Sequence, residues 1–137
     1  MSIELDPRRA LRLFGRALLL RCPNCGSGDI LASWLRLRDR CPRCRLALDR
    51  GEHDYFLGAM MFNLVAAELV FAAVFVTILV VTWPDPPWTV LQYGGVATMI
   101  AAPFIFFPFA RTLWLAFDIT LRPVTLEELE SESEGMV

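Results

Sequence analysis

Three different rhythms of hydrophobic and polar residues follow one another along this chain. Between Arg8 and Leu20 the spacing is helical. Arg8, Arg12 and Arg16 fall at i, i+4 and i+8 and make one face, while Leu11, Phe14 and Leu18 fall on another. Asp6-Pro7 marks the start, with Asp as N-cap and Pro at the first helical position. Between Ser33 and Arg40 the period drops to two. Leu35 and Leu37 point one way and Arg36, Arg38 and Arg40 the other, which predicts a strand with a basic outer face. From Leu57 onward the alternation vanishes. Leu57 to Thr82 carries a single charge, Glu68, and Pro86 to Ala110 carries none.

The two apolar runs predict helices over about 57–82 and 88–110. At about 1.5 Å per residue, each is long enough to cross a hydrocarbon core of about 30 Å. Trp83-Pro84-Asp85-Pro86-Pro87-Trp88 separates them. Its three prolines stop the helices, and its two tryptophans suit a bilayer interface. Arg111 to Arg122 is expected to continue as an interfacial helix, with Asp118 and Arg122 as an i,i+4 pair and Pro123 as the stop.

The predicted fold class is membrane α-helical: a two-helix transmembrane hairpin preceded by a small head, in which the CxxC pairs Cys22/Cys25 and Cys41/Cys44 mark a four-cysteine zinc ribbon, and by a short amphipathic helix. The expected divisions are a basic helix over 1–21, the ribbon over 22–50, the hairpin with its juxtamembrane extension over 55–123, and a disordered acidic tail over 124–137. Asp49 to Asp54 reads as a polar linker that turns at Gly51. Two placements of the first helix stay open, on an anionic membrane surface or packed on the rest of the protein.

Composition sharpens this division. The chain has 137 residues, is 55% hydrophobic and has a mean hydropathy of +0.47, which is apolar for a soluble domain. Eleven of the thirteen basic residues, all arginine, lie in residues 1–54. The loop between the apolar runs has none, and Arg111 and Arg122 follow the second run. Positive residues stay inside, so both termini are expected in the cytoplasm. Arg12 and Arg16 interrupt the only early apolar stretch, so no cleaved leader is expected. The cysteines are therefore placed in a reducing compartment, where paired CxxC motifs favour metal over disulfides.

The chemistry is concentrated in Cys22-Pro23-Asn24-Cys25 and Cys41-Pro42-Arg43-Cys44, a C-x2-C-x15-C-x2-C pattern. Two such knuckles at this separation match a four-thiolate metal site, with zinc the expected ion and iron its rival. Pro23 and Pro42 preset the turns. Gly26 supplies a position tolerant of positive φ after the second ligand, and Arg45 stands where the second knuckle expects glycine. Four cysteines leave no open coordination position, which argues for structure rather than catalysis. His53, between Glu52 and Asp54, is a conceivable second metal or proton site, outweighed by a solvated linker.

Among the polar residues of the apolar runs, Asn63 and Glu68 in the first run stand out as groups in need of a partner. An acid near mid-bilayer costs about 2.5–3.5 kcal/mol or more unless protonated or partnered. Folding the hairpin about Trp83 and Trp88 brings Glu68 level with Pro103, and Asn63 level with Pro108. Each proline frees the carbonyl four residues earlier. The expectation is that Glu68 donates to the Met99 carbonyl and Asn63 to that of Phe104; the alternative is that Glu68 carries protons or meets another subunit.

No nucleophile–base pair, phosphate loop or open metal position is present, so the protein is not expected to be an enzyme, and no small-molecule substrate is implied. The expected partners are the lipid bilayer and another membrane protein, with Arg36, Arg38 and Arg40 as a basic contact surface. Nucleic-acid binding through the same arginines is disfavoured, because Trp34 is the only aromatic nearby.

Arg21-Cys22-Pro23-Asn24-Cys25-Gly26, Cys41-Pro42-Arg43-Cys44, the span that starts at Gly58, the Trp83–Trp88 turn and the Arg111–Pro123 end together resemble the bacterial domain-of-unknown-function 983 family. The resemblance covers about residues 20–123. It implies a small integral protein of the bacterial inner membrane, with a paired CPxCG head and two helices. It implies an architecture rather than an activity. The setting of such genes, similar to that of cytochrome oxidase assembly genes, suggests an accessory role in the biogenesis of a respiratory complex.

Overall fold

The computed structural model describes residues 6–50, 52 and 54–130. His53 and Gly51, singled out above, and the last part of the acidic tail lie outside the described residues.

Helix α1 spans Pro7–Leu18. Its start follows the sequence: Asp6 accepts a hydrogen bond from the Arg8 amide at 3.0 Å, and Pro7 occupies the first turn. The face it buries is not Leu11, Phe14 and Leu18 as a set. Leu13 and Ala17 are buried, Phe14 is partly buried, and Leu11 and Leu18 are exposed. The helix packs on the protein, because Ala17 is small enough to let it approach a later helix closely. There the Thr112 hydroxyl donates to the Ala17 carbonyl at 2.9 Å.

A two-stranded antiparallel ribbon follows, β1 (Leu31–Ser33) and β2 (Arg36–Leu37). Leu31 faces Leu37 and Ser33 faces Arg36. The single strand expected over Ser33–Arg40 is therefore a hairpin with Trp34 and Leu35 at its turn. Leu35 does not share a face with Leu37: the first is exposed and the second buried. A period of two cannot by itself distinguish a straight strand from two short strands that reverse at a tight turn.

Helix α2 covers Leu57–Val81 and α3 covers Trp88–Leu121; α4 is a single short turn, Leu126–Glu130. Helices α2 and α3 form the expected hairpin. Both are long and apolar enough to cross a membrane, and most of their apolar side chains face outward. Gly58 makes room for the Trp114 side chain of α3, because a Cβ there would lie 2.3 Å from that ring. Around that contact Phe62, Trp114 and Phe117 form an aromatic cluster.

The end of α3 differs from the interfacial helix expected after Ala110. The helix is unbroken for 34 residues, about 51 Å. That is longer than a hydrocarbon core requires. Its last third buries Thr112, Leu115, Ala116, Asp118 and Ile119. Leu115, Ala116 and Ile119 join Leu13 and Ala17 of α1 and Ile30, Leu37, Leu46 and Leu48 of the ribbon in one core. A ribbon this small has too little apolar surface to fold alone, and α3 supplies the missing wall.

Candidate metal centre

The two knuckles fold alike. In the first, the Cys22 amide donates to the Ser27 carbonyl at 2.8 Å and the Gly26 amide to the Cys22 carbonyl at 2.8 Å. In the second, the Cys41 amide donates to the Leu46 carbonyl at 3.0 Å and the Arg45 amide to the Cys41 carbonyl at 3.1 Å. Both need a left-handed residue after the second cysteine. Gly26 has φ +76° and Arg45 φ +61°. Arg45 thus adopts the conformation that its side chain disfavours by about 1–2 kcal/mol.

These turns bring all four sulfurs within 4.8 Å of one another. Cys22 Sγ lies 3.8 Å from Cys44 Sγ, and Cys25 Sγ 3.6 Å from Cys41 Sγ. A tetrahedral ion with bonds of about 2.3 Å to sulfur requires sulfur–sulfur edges of about 3.8 Å. The cage therefore fits a four-coordinate metal ion. Burial pushes the Cys22 and Cys44 thiols up. Burial acts the same way on Cys41, but hydrogen bonds from the Cys44 and Arg43 amides outweigh it and bring that thiol down. The Ser27 amide also points at Cys25 Sγ, at 3.4 Å. Amides aimed at sulfur favour the thiolate form that binds metal.

Arg16 holds the first knuckle from outside. Its guanidinium donates to the Pro23 and Asn24 carbonyls at 3.1 and 2.9 Å. A Cβ on Gly26 would come within 3.1 Å of the same side chain. Nothing in the helical spacing of the arginines separates Arg16 from Arg8 and Arg12, which stay exposed.

A second polar cluster fastens the exit of the ribbon to the end of α3. Asp118 sits between two arginines: Arg122 at 2.7 Å and Arg50 at 3.7 Å. The Tyr55 hydroxyl donates to it at 3.2 Å. The side chains of Arg50 and Asp118 are only 6% and 7% exposed, so this pair works with little solvent screening. Arg50 also reaches Glu128 at 2.8 Å, and Arg122 reaches Glu52 at 3.0 Å. Burial, then Asp118, pushes the Tyr55 hydroxyl up. The i,i+4 pairing of Asp118 with Arg122 is visible in sequence; Arg50 and Tyr55, more than sixty residues away, are not.

Of the basic stripe, Arg36 and Arg38 are exposed, and Arg38 pairs with Asp29 at 3.2 Å. Arg40 is half-buried and donates to the Arg45 carbonyl at 3.4 Å, inside the second knuckle.

The pairing expected within the hairpin is corrected. Asn63 Nδ2 donates to the Pro103 carbonyl at 3.1 Å, not to Phe104. The Phe104 carbonyl, freed by Pro108, accepts instead from the Trp34 indole N–H at 2.8 Å. Trp34 also packs edge-on against Phe109, so the tip of the ribbon hairpin rests on α3. Glu68 is exposed and has no hydrogen-bond or ion-pair partner among the described residues; it does not reach Met99. Two facts explain the difference. The helices are offset, so that Asn63 rather than Glu68 lies level with Pro103. Asn63 and Glu68 also lie about 140° apart around α2, so when one faces α3 the other faces away.

A family model described as "Protein of unknown function (DUF983)" matches residues 31–118, and the chain belongs to that family. The match takes in the second knuckle and the hairpin and begins after the first knuckle. No curated protein and no solved structure matches the chain.

Proposed function

We propose that this member of the domain-of-unknown-function 983 family is an integral membrane zinc-ribbon protein that serves as an adaptor or assembly factor for a membrane complex. The respiratory oxidase is the candidate suggested by the family resemblance. The reading is non-enzymatic, because a cage of four cysteines leaves no coordination position for substrate. Zinc is the proposed ion, with the cysteines holding the ribbon in shape. Both termini face the cytoplasm of a bacterial cell, in keeping with the arginines gathered before α2 and missing from the 82–87 turn.

The observation that carries the adaptor reading is Glu68. It lies in the middle of an apolar helix, points away from α3 and meets no partner within the described chain. An acid exposed to lipid at that depth costs about 2.5–3.5 kcal/mol or more. A polar group on another membrane protein removes that cost. Copurification from native membranes tests this. Wild type and Glu68→Gln, which keeps a donor, should retain the same membrane-protein partner, while Glu68→Leu should lose it. Retention by Glu68→Leu sinks the adaptor reading.

One observation favours a second reading, a tethered electron carrier with iron in the same cage. Cys25 and Cys44 are only half-buried, which leaves the metal close to the surface. Metal analysis with an absorption spectrum separates the two. About one colourless zinc per chain supports the adaptor, and visible iron–thiolate bands support the carrier.

A further inference from the structure

The ribbon does not stand clear of the hairpin. Its tip lies along α3: the Trp34 indole N–H donates to the Phe104 carbonyl at 2.8 Å, and the ring packs edge-on against Phe109. Phe104 lies seven residues before Arg111, about 10 Å along the helix axis. An independent contact gives a similar depth. Asn63 donates to the carbonyl of Pro103, the neighbour of Phe104, and follows Leu57 at the start of α2 by six residues, about 9 Å. Both measures place Trp34 beside the apolar part of the hairpin, past the level at which Arg111 stacks on Phe56. The tip is open on its outer side. Trp34 is 51% exposed and Leu35 48%, and Phe104 and Ile105 at that level of α3 also face outward. Helix α1 meets α3 nearer the boundary. Thr112 donates to the Ala17 carbonyl, so the exposed Leu18 and Leu19 stand close to the level of Arg111.

Polarity changes along the ribbon in the order that depth requires. Trp34 and Leu35 are apolar and deepest. Arg36 follows, exposed and without a hydrogen-bond or ion-pair partner among the described residues. Leu37 then joins the core that holds Leu115 and Ile119, beyond Arg111. Arg36 thus stands between the level of Phe104 and that of Leu115, with a stem long enough to carry its guanidinium to the headgroups. At the level of Phe104 the outer neighbour is hydrocarbon, where no water satisfies the carbonyl that Pro108 frees; the Trp34 N–H does so. An indole near the boundary also suits its mixed character. We propose that the ribbon tip is a wedge inserted into the membrane: Trp34 and Leu35 sit among the acyl chains of the cytoplasmic leaflet, and Arg36 holds the phosphate of an anionic headgroup above them. The cysteine-bearing head is then seated in the leaflet rather than held clear of it on a linker. The proposal rests on the membrane reading above and is independent of Glu68 and its partner.

The test uses the full-length, metal-loaded protein. With Leu35→p-benzoylphenylalanine, illumination of native membranes should couple the tip to phospholipid, read by mass spectrometry as the gain of one lipid per chain. Coupling to another protein instead, or to nothing, overturns the proposal. In vesicles of mixed phosphatidylcholine and phosphatidylglycerol, the anionic lipid should be enriched in the adducts about fivefold over its share of the bilayer, the ratio that one arginine near the surface supplies. Arg36→Gln should remove most of that enrichment, and an enrichment it leaves unchanged overturns the role of Arg36. Trp34 gives a readout without the added group. Lipids brominated on their acyl chains should quench the part of the emission that Trp34→Phe removes, and iodide in the water should not. Quenching of that part by iodide alone places the tip in water and overturns the proposal. Carbonate washing of native membranes separately reports the membrane reading. Release of the protein would remove that premise whatever the tip does.

Discussion

The ribbon and the hairpin solve the problem of burial in opposite ways. The ribbon, with α1 and the end of α3, gathers its apolar residues inward around Leu37, Leu46, Leu115 and Ile119, and knits its charges to one another. The hairpin turns its apolar residues outward along almost its whole length, and its polar groups are only partly matched. Asn63 donates one hydrogen bond while its Oδ1 accepts none, and Glu68 has no partner among the described residues. The first region is therefore specified by its own side chains, four of which are placed to hold a metal ion. The second is specified only when its surroundings are supplied.

The strongest way to break this contrast is to deny the cysteine cage the metal that it is proposed to hold. Cys22 and Cys41 are the two buried ligands. Replacing both with serine, or stripping the ion with a chelator, withdraws a binding energy on the order of 10–16 kcal/mol. Limited proteolysis should then cut within residues 22–50, while circular dichroism retains the signal of α2 and α3. Parallel loss of the helices would mean that the hairpin depends on the ribbon.

Breaking the charged clamp should have a smaller effect. Asp118→Ala leaves Arg50 buried beside an empty site and should destabilise the ribbon by about 3–5 kcal/mol. Thermal unfolding followed by cysteine accessibility measures this. A loss below 1 kcal/mol would show that Glu128 alone suffices for Arg50.

Tyr55→Phe removes one hydrogen bond to a charged acceptor, with a loss of about 1.5–3 kcal/mol. It also carries a pH signature. The hydroxyl ionises near 10.0 in an unfolded chain and well above that in the folded protein. The unfolded state therefore gives up its proton first, and stability should fall as pH rises beyond 10. The Tyr55→Phe protein should lose that component of alkaline sensitivity, and unchanged alkaline unfolding would contradict it.

The smallest change sharpens the comparison between the knuckles. Arg45→Gly relieves a left-handed arginine and should stabilise the metal-bound ribbon by about 1–2 kcal/mol. Chelator competition reads this as slower metal loss. No change would mean that Arg45 makes a compensating contact.

Much of this structure was legible one segment at a time. Asp6-Pro7 opens α1 because an N-cap acts on amides two residues away. The twin CxxC turns follow from a local demand for positive φ, met by Gly26 and forced on Arg45. The lengths of the apolar runs set α2 and the start of α3, and the prolines between them set the reversal. What local reading missed was direction and offset. Ser33–Arg40 alternates equally well as one strand or as two, and only pairing across Trp34-Leu35 distinguishes them.

The sequence by itself determined the four cysteines of the candidate site, the start of α1, the extent of α2, the start of α3 and the division into a charged region and an apolar one. Each depends on residues close together in the chain, through turn chemistry, capping and hydrophobic runs. Only the tertiary structure decided that α3 continues into the ribbon's core, that Arg50 and Tyr55 meet Asp118, and that Trp34 rather than Asn63 takes the Phe104 carbonyl. It also decided that Asn63 faces inward and Glu68 outward. These outcomes depend on how far each helix is rotated and slid against its neighbour. That is settled by the close fit of Gly58 under Trp114 and of Ala17 beside Thr112, contacts between residues far apart in sequence.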